Sequence, residues 1–129
     1  MQMMARLAGA TTAQIQADRI SSARAFATAQ RVHVVLKGAR TVVATPDGDV
    51  FINPTGNPGM ATGGTGDVLT GVVAAWLAQL HDPVSATIVG VHLHGLAGDL
   101  AADRVGQTAL TASDLAAQLG AAVTALTRS

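Results

Sequence analysis

Between Asn57 and Gly71 the chain reads NPGMATGGTGDVLTG, fifteen positions that hold five glycines and a single carboxylate, Asp67. The glycines end where an apolar helical pattern begins. The backbone amides around Gly63, Gly64, Thr65 and Gly66 are therefore expected to be left unpaired at a helix start, facing one point with the positive end of the helix dipole behind them. Such a point binds phosphate. Gly63, Gly64 and Gly66 suit it because glycine admits positive φ and lets a ligand come close to the main chain. The stretch is not a Walker A loop, since no Lys-Ser or Lys-Thr pair follows it, and Leu69 stands where G-x-G-x-x-G requires its third glycine. Asp67 then has two readings. It is either a helix-start carboxylate stabilised by the dipole, or a base that takes the proton of a substrate hydroxyl while the amides hold the phosphoryl group under attack.

The elements that must position this loop follow from local pattern. Thr11-Thr12-Ala13-Gln14 has the form of a capping box, and Ala-rich sequence continues to Gln30, which predicts one helix over that span. Val32–Leu36 is a β-branched run suited to a buried strand. Thr41–Thr45 and Val50–Ile52, joined through Pro46-Asp47-Gly48-Asp49, predict a hairpin. Residues 53–65 are loop by composition. Val68, Leu69, Val72, Val73, Trp76, Leu77 and Leu80 recur at helical spacing after it, with Trp76 read as core. Asp82-Pro83 opens a further helix through about Asp103, in which Gly90, Gly95 and Gly98 cost helix propensity and imply close packing of backbone. Thr111–Asp114 caps a last helix that frays toward Ser129.

Composition narrows the function. Eight basic side chains balance eight acidic ones, all of the latter aspartates, and the cations are scattered. That excludes the footprint of a nucleic-acid or anionic-membrane binder and leaves a small-molecule or self-complementary partner. The absence of cysteine removes disulfides and thiolate chemistry and fits a reducing compartment, so a soluble, cytoplasmic protein is expected. His92 and His94 stand two apart and cannot form a helical i, i+4 metal pair; His94 beside Gly95 reads as a hydrogen-bonded packing residue. Lys37 is the sole lysine, at the end of the first strand, either a surface charge or a ligand contact.

Leu36-Lys37-Gly38-Ala39-Arg40-Thr41, the glycine stretch 57–71 and His94-Gly95-Leu96-Ala97-Gly98-Asp99 together resemble the ADP- or ATP-dependent NAD(P)H-hydrate dehydratases of the ribokinase-like superfamily. The resemblance runs from about Met4 to the C-terminus. It implies an α/β fold, the truncated C-terminal part of a three-layer α/β/α domain, with residues 1–129 as a single partial domain. In that family a nucleotide drives the loss of water from the hydrated cofactor NAD(P)HX, restoring NADH or NADPH. The resemblance implies that Asp67 contacts the hydrated cofactor and activates its ring hydroxyl. It also implies that Lys37, Gly38, Ala39, Arg40, Thr41 and Gly66 touch the nucleotide, and that Gly63, Gly64 and Thr65 form the phosphate loop. ADP or ATP is the implied co-substrate, with Mg2+ on its phosphates and no protein ligand for the metal. Two family features have no counterpart: the His-Pro-Gly-Glu-like turn that precedes the Met-Ala-Arg-Leu stretch, and an Asn-x-x-Glu, which a chain without glutamate cannot contain. The implied partners are NAD(P)HX and the nucleotide, together with self-association or a missing N-terminal half. Two other functions remain open at this point, a different ribokinase-like small-molecule kinase and a non-catalytic nucleotide-binding fragment.

Overall fold

The computed structural model describes residues 18–38 and 40–128. The expected capping box at Thr11–Gln14 lies outside them. They form two compact units, the first ending at Asn53 and the second beginning at Pro54.

In the first unit, helix α1 (Arg19–Gln30) starts from a cap of its own at Asp18, inside the span that the Ala-rich pattern assigned to one helix. Asp18 has φ −148°, and its carboxylate accepts from the Ser21 amide at 3.0 Å. That bond holds the Asp18 carboxyl below its ordinary value. α1 ends at Arg31 in the left-handed region, with the Arg31 and Val32 amides both donating to Ala27 O. Because Val32 is used in this way it leaves the predicted strand, and β1 spans only Val34–Leu36. β2 (Val42–Ala44) and β3 (Val50–Ile52) complete an antiparallel meander in the order β1-β2-β3, with Val35 opposite Val43 and Val43 opposite Phe51. The Pro46-Asp47-Gly48 turn forms as expected: Gly48 N donates to Thr45 O at 3.0 Å, and Gly48 takes φ +93°. Ala23 and Ala27, one turn apart on α1, are fully buried against Val34, Leu36, Val42 and Ala44. Their small side chains let helix and sheet approach closely.

In the second unit a short 3-10 turn (Pro58–Met60) precedes α2 (Thr65–Leu80). His81 closes α2 with φ 56°, and Asp82-Pro83 starts α3 (Pro83–Val105) as the sequence predicts. The final predicted helix is two, α4 (Ala112–Ala117) and α5 (Leu119–Thr127), broken at Gln118, whose amide donates to Leu115 O at 3.0 Å, three residues back instead of four. Leu93 and Ala97 of α3, Leu115 of α4 and Ala122 of α5 make the core, and Trp76 of α2 packs against it half-buried. Burying a leucine such as Leu93 contributes about 1.5–3 kcal/mol. No helix among the described residues is long and apolar enough to cross a membrane.

Candidate active site

The glycines of α3 explain how the loop 54–64 lies where it does. A Cβ at Gly95 would meet the backbone and side chain of Thr55, with the Thr55 carbonyl carbon at 2.8 Å, and one at Gly98 would meet Met60. At Gly90 it would strike Val73 of α2, 2.8 Å from Cγ2. All three helix-interior glycines thus mark close approach, as their propensity cost implied.

Hydrogen bonds fix what the glycines admit. The Thr55 hydroxyl donates to His92 O at 2.9 Å. Asp99 accepts from the Gly56 amide at 3.0 Å and from Asn57 Nδ2 at 2.9 Å, while Asn57 Oδ1 takes the Gly59 amide at 3.0 Å. At the loop's far end Thr65 is 4% exposed, and its hydroxyl lies 2.8 Å from Met60 O and 3.0 Å from Thr62 O. His94 Nε2 is 2.9 Å from Thr65 O; since a carbonyl only accepts, Nε2 carries the proton. His94 is buried and hydrogen-bonded, as its place beside Gly95 suggested.

Gly64 is the N-cap of α2 with φ +89°. Gly63 and Gly66, expected to use glycine's left-handed freedom as well, do not have positive φ. One reversal is enough to turn the chain into the helix. The Thr65 amide, expected to stand unpaired, donates to Thr62 O at 3.5 Å, closing the turn into the helix, and the helical ladder begins with Val68 donating to Gly64 O at 3.2 Å, so the amides of Gly66 and Asp67 precede it.

Asp67 occupies the third position of α2 and is exposed. Asp114 holds the same position in α4, and the contrast is informative. Asp114 accepts from the Thr111 amide at 3.0 Å while its own amide donates to Thr111 Oγ1 at 3.2 Å, a complete capping box. In α2 the cap residue is glycine and no side-chain cap bond forms. Capping therefore does not occupy Asp67, and its carboxylate stands beside the orphan amides. Among the described residues no three metal-binding side chains gather.

In the first unit, Lys37, Gly38 and Arg40 are exposed and Thr41 half-buried on the turn from β1 to β2; Ala39 lies outside the described residues. No local pattern in the sequence marks Arg19, whose guanidinium donates to Leu36 O at 2.9 Å and lies so close over Gly38 that a Cβ there would be 2.7 Å from Cζ. The contacts of Asp99 with Gly56 and Asn57 are likewise visible only in the structure. Its one signal in the sequence is that Asp99 is the sole charged side chain between Pro83 and Ala102.

A family model described as NAD(P)H-hydrate dehydratase matches residues 2–120. The bifunctional NAD(P)H-hydrate repair enzyme of Moorella thermoacetica is 55% identical over 112 residues, covering 87% of this chain and 21% of the relative. The structure of the ADP/ATP-dependent NAD(P)H-hydrate dehydratase from Bacillus subtilis, co-crystallised with ATP/Mg2+ and soaked with CoA, superposes with a TM-score of 0.90 at 38% identity, over 93% of this chain and 44% of that one. A ribokinase-like superfamily protein from Enterococcus faecalis gives a TM-score of 0.73 at 36% identity, over 92% of this chain and 40% of that one. The chain thus spans about a fifth of the Moorella relative and less than half of either solved structure.

Proposed function

The chain belongs to the NAD(P)H-hydrate dehydratase family, of ribokinase-like fold, and from that membership we propose that the enzyme built from it uses ADP or ATP to dehydrate NADH or NADPH hydrate, restoring the reduced cofactor. The observation that carries the reading is the carboxylate of Asp67, beside a glycine loop and unused as a cap.

Hydroxide is a poor leaving group and phosphate a good one. Asp67 takes the proton of the ring hydroxyl, and the freed oxygen attacks the terminal phosphoryl group of the nucleotide. The bond from that phosphorus to the departing nucleotide then breaks. The amides of Gly63–Gly66 face the phosphoryl oxygens as charge develops on them. The nicotinamide ring nitrogen then expels phosphate by donating its lone pair, and loss of a proton from the adjacent ring carbon restores the double bond. A positioned base contributes about 10²–10⁴-fold and donors facing developing charge a few kcal/mol more. Mg2+ would enter on the nucleotide phosphates and neutralise their charge. Lys37, Gly38, Ala39, Arg40, Thr41 and Gly66 are the proposed nucleotide contacts.

The proposed setting is the cytoplasm, consistent with a cysteine-free chain. Residues 1–129 are proposed to be part of one domain whose remainder, present in the longer relatives, completes the sheet; without it the chain self-associates. Asp67→Asn tests the assignment in the complete enzyme. It keeps the side chain's size, so fold and ATP affinity are expected to persist while turnover falls by at least about 10²-fold. A rate equal to the parent's would remove Asp67 from the chemistry.

A further inference from the structure

We propose that Asp99 is a positioning residue for the phosphate-binding loop, acting through Gly56 and Asn57 without touching substrate. The proposal rests on the reading of that loop as the nucleotide's phosphate site. Apart from the single turn Pro58–Met60, residues 54–64 have no helix or strand to hold them. Their placement depends on what α3 supplies, and α3 grips the segment at both ends: Asp99 at Gly56 and Asn57, and His94 at the carbonyl of Thr65. Of these, Asp99 carries the most. Its two oxygens are each committed, Oδ2 to the Gly56 amide and Oδ1 to Asn57 Nδ2.

Asn57 passes the constraint on. With Nδ2 held by Asp99, its Oδ1 is oriented to receive the Gly59 amide and to cap the turn Pro58–Met60. That turn ends at Met60, whose carbonyl receives the Thr65 hydroxyl at the start of α2. A continuous chain of bonds therefore runs from Asp99 to the residue preceding Gly66 and Asp67. Gly56 itself takes φ +111°, so the backbone at the first contact is one that glycine alone adopts readily. A carboxylate accepts more strongly than a neutral amide, which suits Asp99 to hold such a segment. Loss of the grip shifts the loop amides relative to Asp67, and a displacement of about 1 Å in a catalytic site costs on the order of 10²-fold.

The geometry allows a test that a merely structural role would not satisfy. In Asp99→Asn the new amide keeps an oxygen for Gly56 but turns its NH2 toward the NH2 of Asn57, and the chain of bonds is broken. Adding Asn57→Asp restores it with the roles exchanged: the position-99 amide donates to one carboxylate oxygen at position 57, and the other accepts the Gly59 amide. In the complete enzyme, Asp99→Asn and Asp99→Ala are expected to lower kcat about 10²-fold with a smaller change in the KM for NADH hydrate, and to raise amide hydrogen exchange across residues 54–66. The double exchange Asn57→Asp with Asp99→Asn is expected to recover both. Single variants with the parent's kcat and loop protection, or a double exchange no better than Asp99→Asn, would overturn the proposal. If the parent itself shows no dehydration, the functional reading fails, while loop exchange and ATP affinity in the same variants still decide the role of Asp99.

Discussion

At Gly63 and Gly64 a side chain would meet quite different surroundings, and this separates folding from ligand binding at the scale of single residues. Gly64 turns the chain with φ +89°, and a Cβ there would sit 3.1 Å from that of Ala112. Gly63 lacks positive φ, and a Cβ there would have nothing within 4 Å. Gly64→Val is therefore expected to lower both the melting temperature and the affinity for ADP or ATP. Gly63→Val is expected to leave the melting temperature alone and weaken nucleotide binding about tenfold or more, because its branched carbon fills space meant for a phosphate oxygen. Calorimetry showing equal nucleotide affinity for Gly63→Val and the parent would show that the loop does not approach phosphate. The family-specific run of glycines and Asp67 were visible in the sequence; the division of labour among those glycines was not, because it depends on which of them reverses the backbone and what lies opposite.

At the scale of elements, the glycines of α3 were legible because each carries a local cost that only packing offsets, and Gly95 tests this. Gly95→Val would force Thr55 away from α3 and is expected to destabilise the second unit by about 1–3 kcal/mol or more, read as a lower denaturation midpoint. An unchanged midpoint would mean the loop gives way freely. α1 offers a pH test. The carboxyl of Asp18 is held below 3.8 by the Ser21 amide, so its contribution is fully present above the unfolded value and is lost as pH falls through the lower folded value. Asp18→Asn, which can still cap but does not titrate, is expected to flatten the drop in melting temperature below about pH 4. Identical acid profiles would assign the drop to other carboxylates. Other boundaries escaped the sequence for physical reasons. The break at Gln118 is marked in the sequence only by Gly120, two positions on, and a lone glycine among good helix formers does not by itself end a helix. The grip of Asp99 on Gly56 and Asn57 joins residues more than forty positions apart, which no local pattern encodes.

At the scale of the molecule, 129 residues carry the glycine loop and Asp67 but span less than half of the B. subtilis enzyme they superpose on. The sheet among the described residues is three short antiparallel strands, and Phe51 and Ile52 of β3 are each about two-fifths exposed, at 38% and 42%. Exposed strand residues of this kind favour association, so the isolated chain is expected to sediment as a dimer or larger species and to bind nucleotide weakly. A monodisperse monomer with full activity would contradict that expectation. The most direct measurement of the central claim follows NADH absorbance after chemically prepared NADH hydrate is mixed with the complete enzyme, with and without ADP or ATP. The account predicts that absorbance returns only when nucleotide is present and that one phosphate is released for each NADH restored. Transfer of phosphate to a stable product, with no return of absorbance, would contradict it.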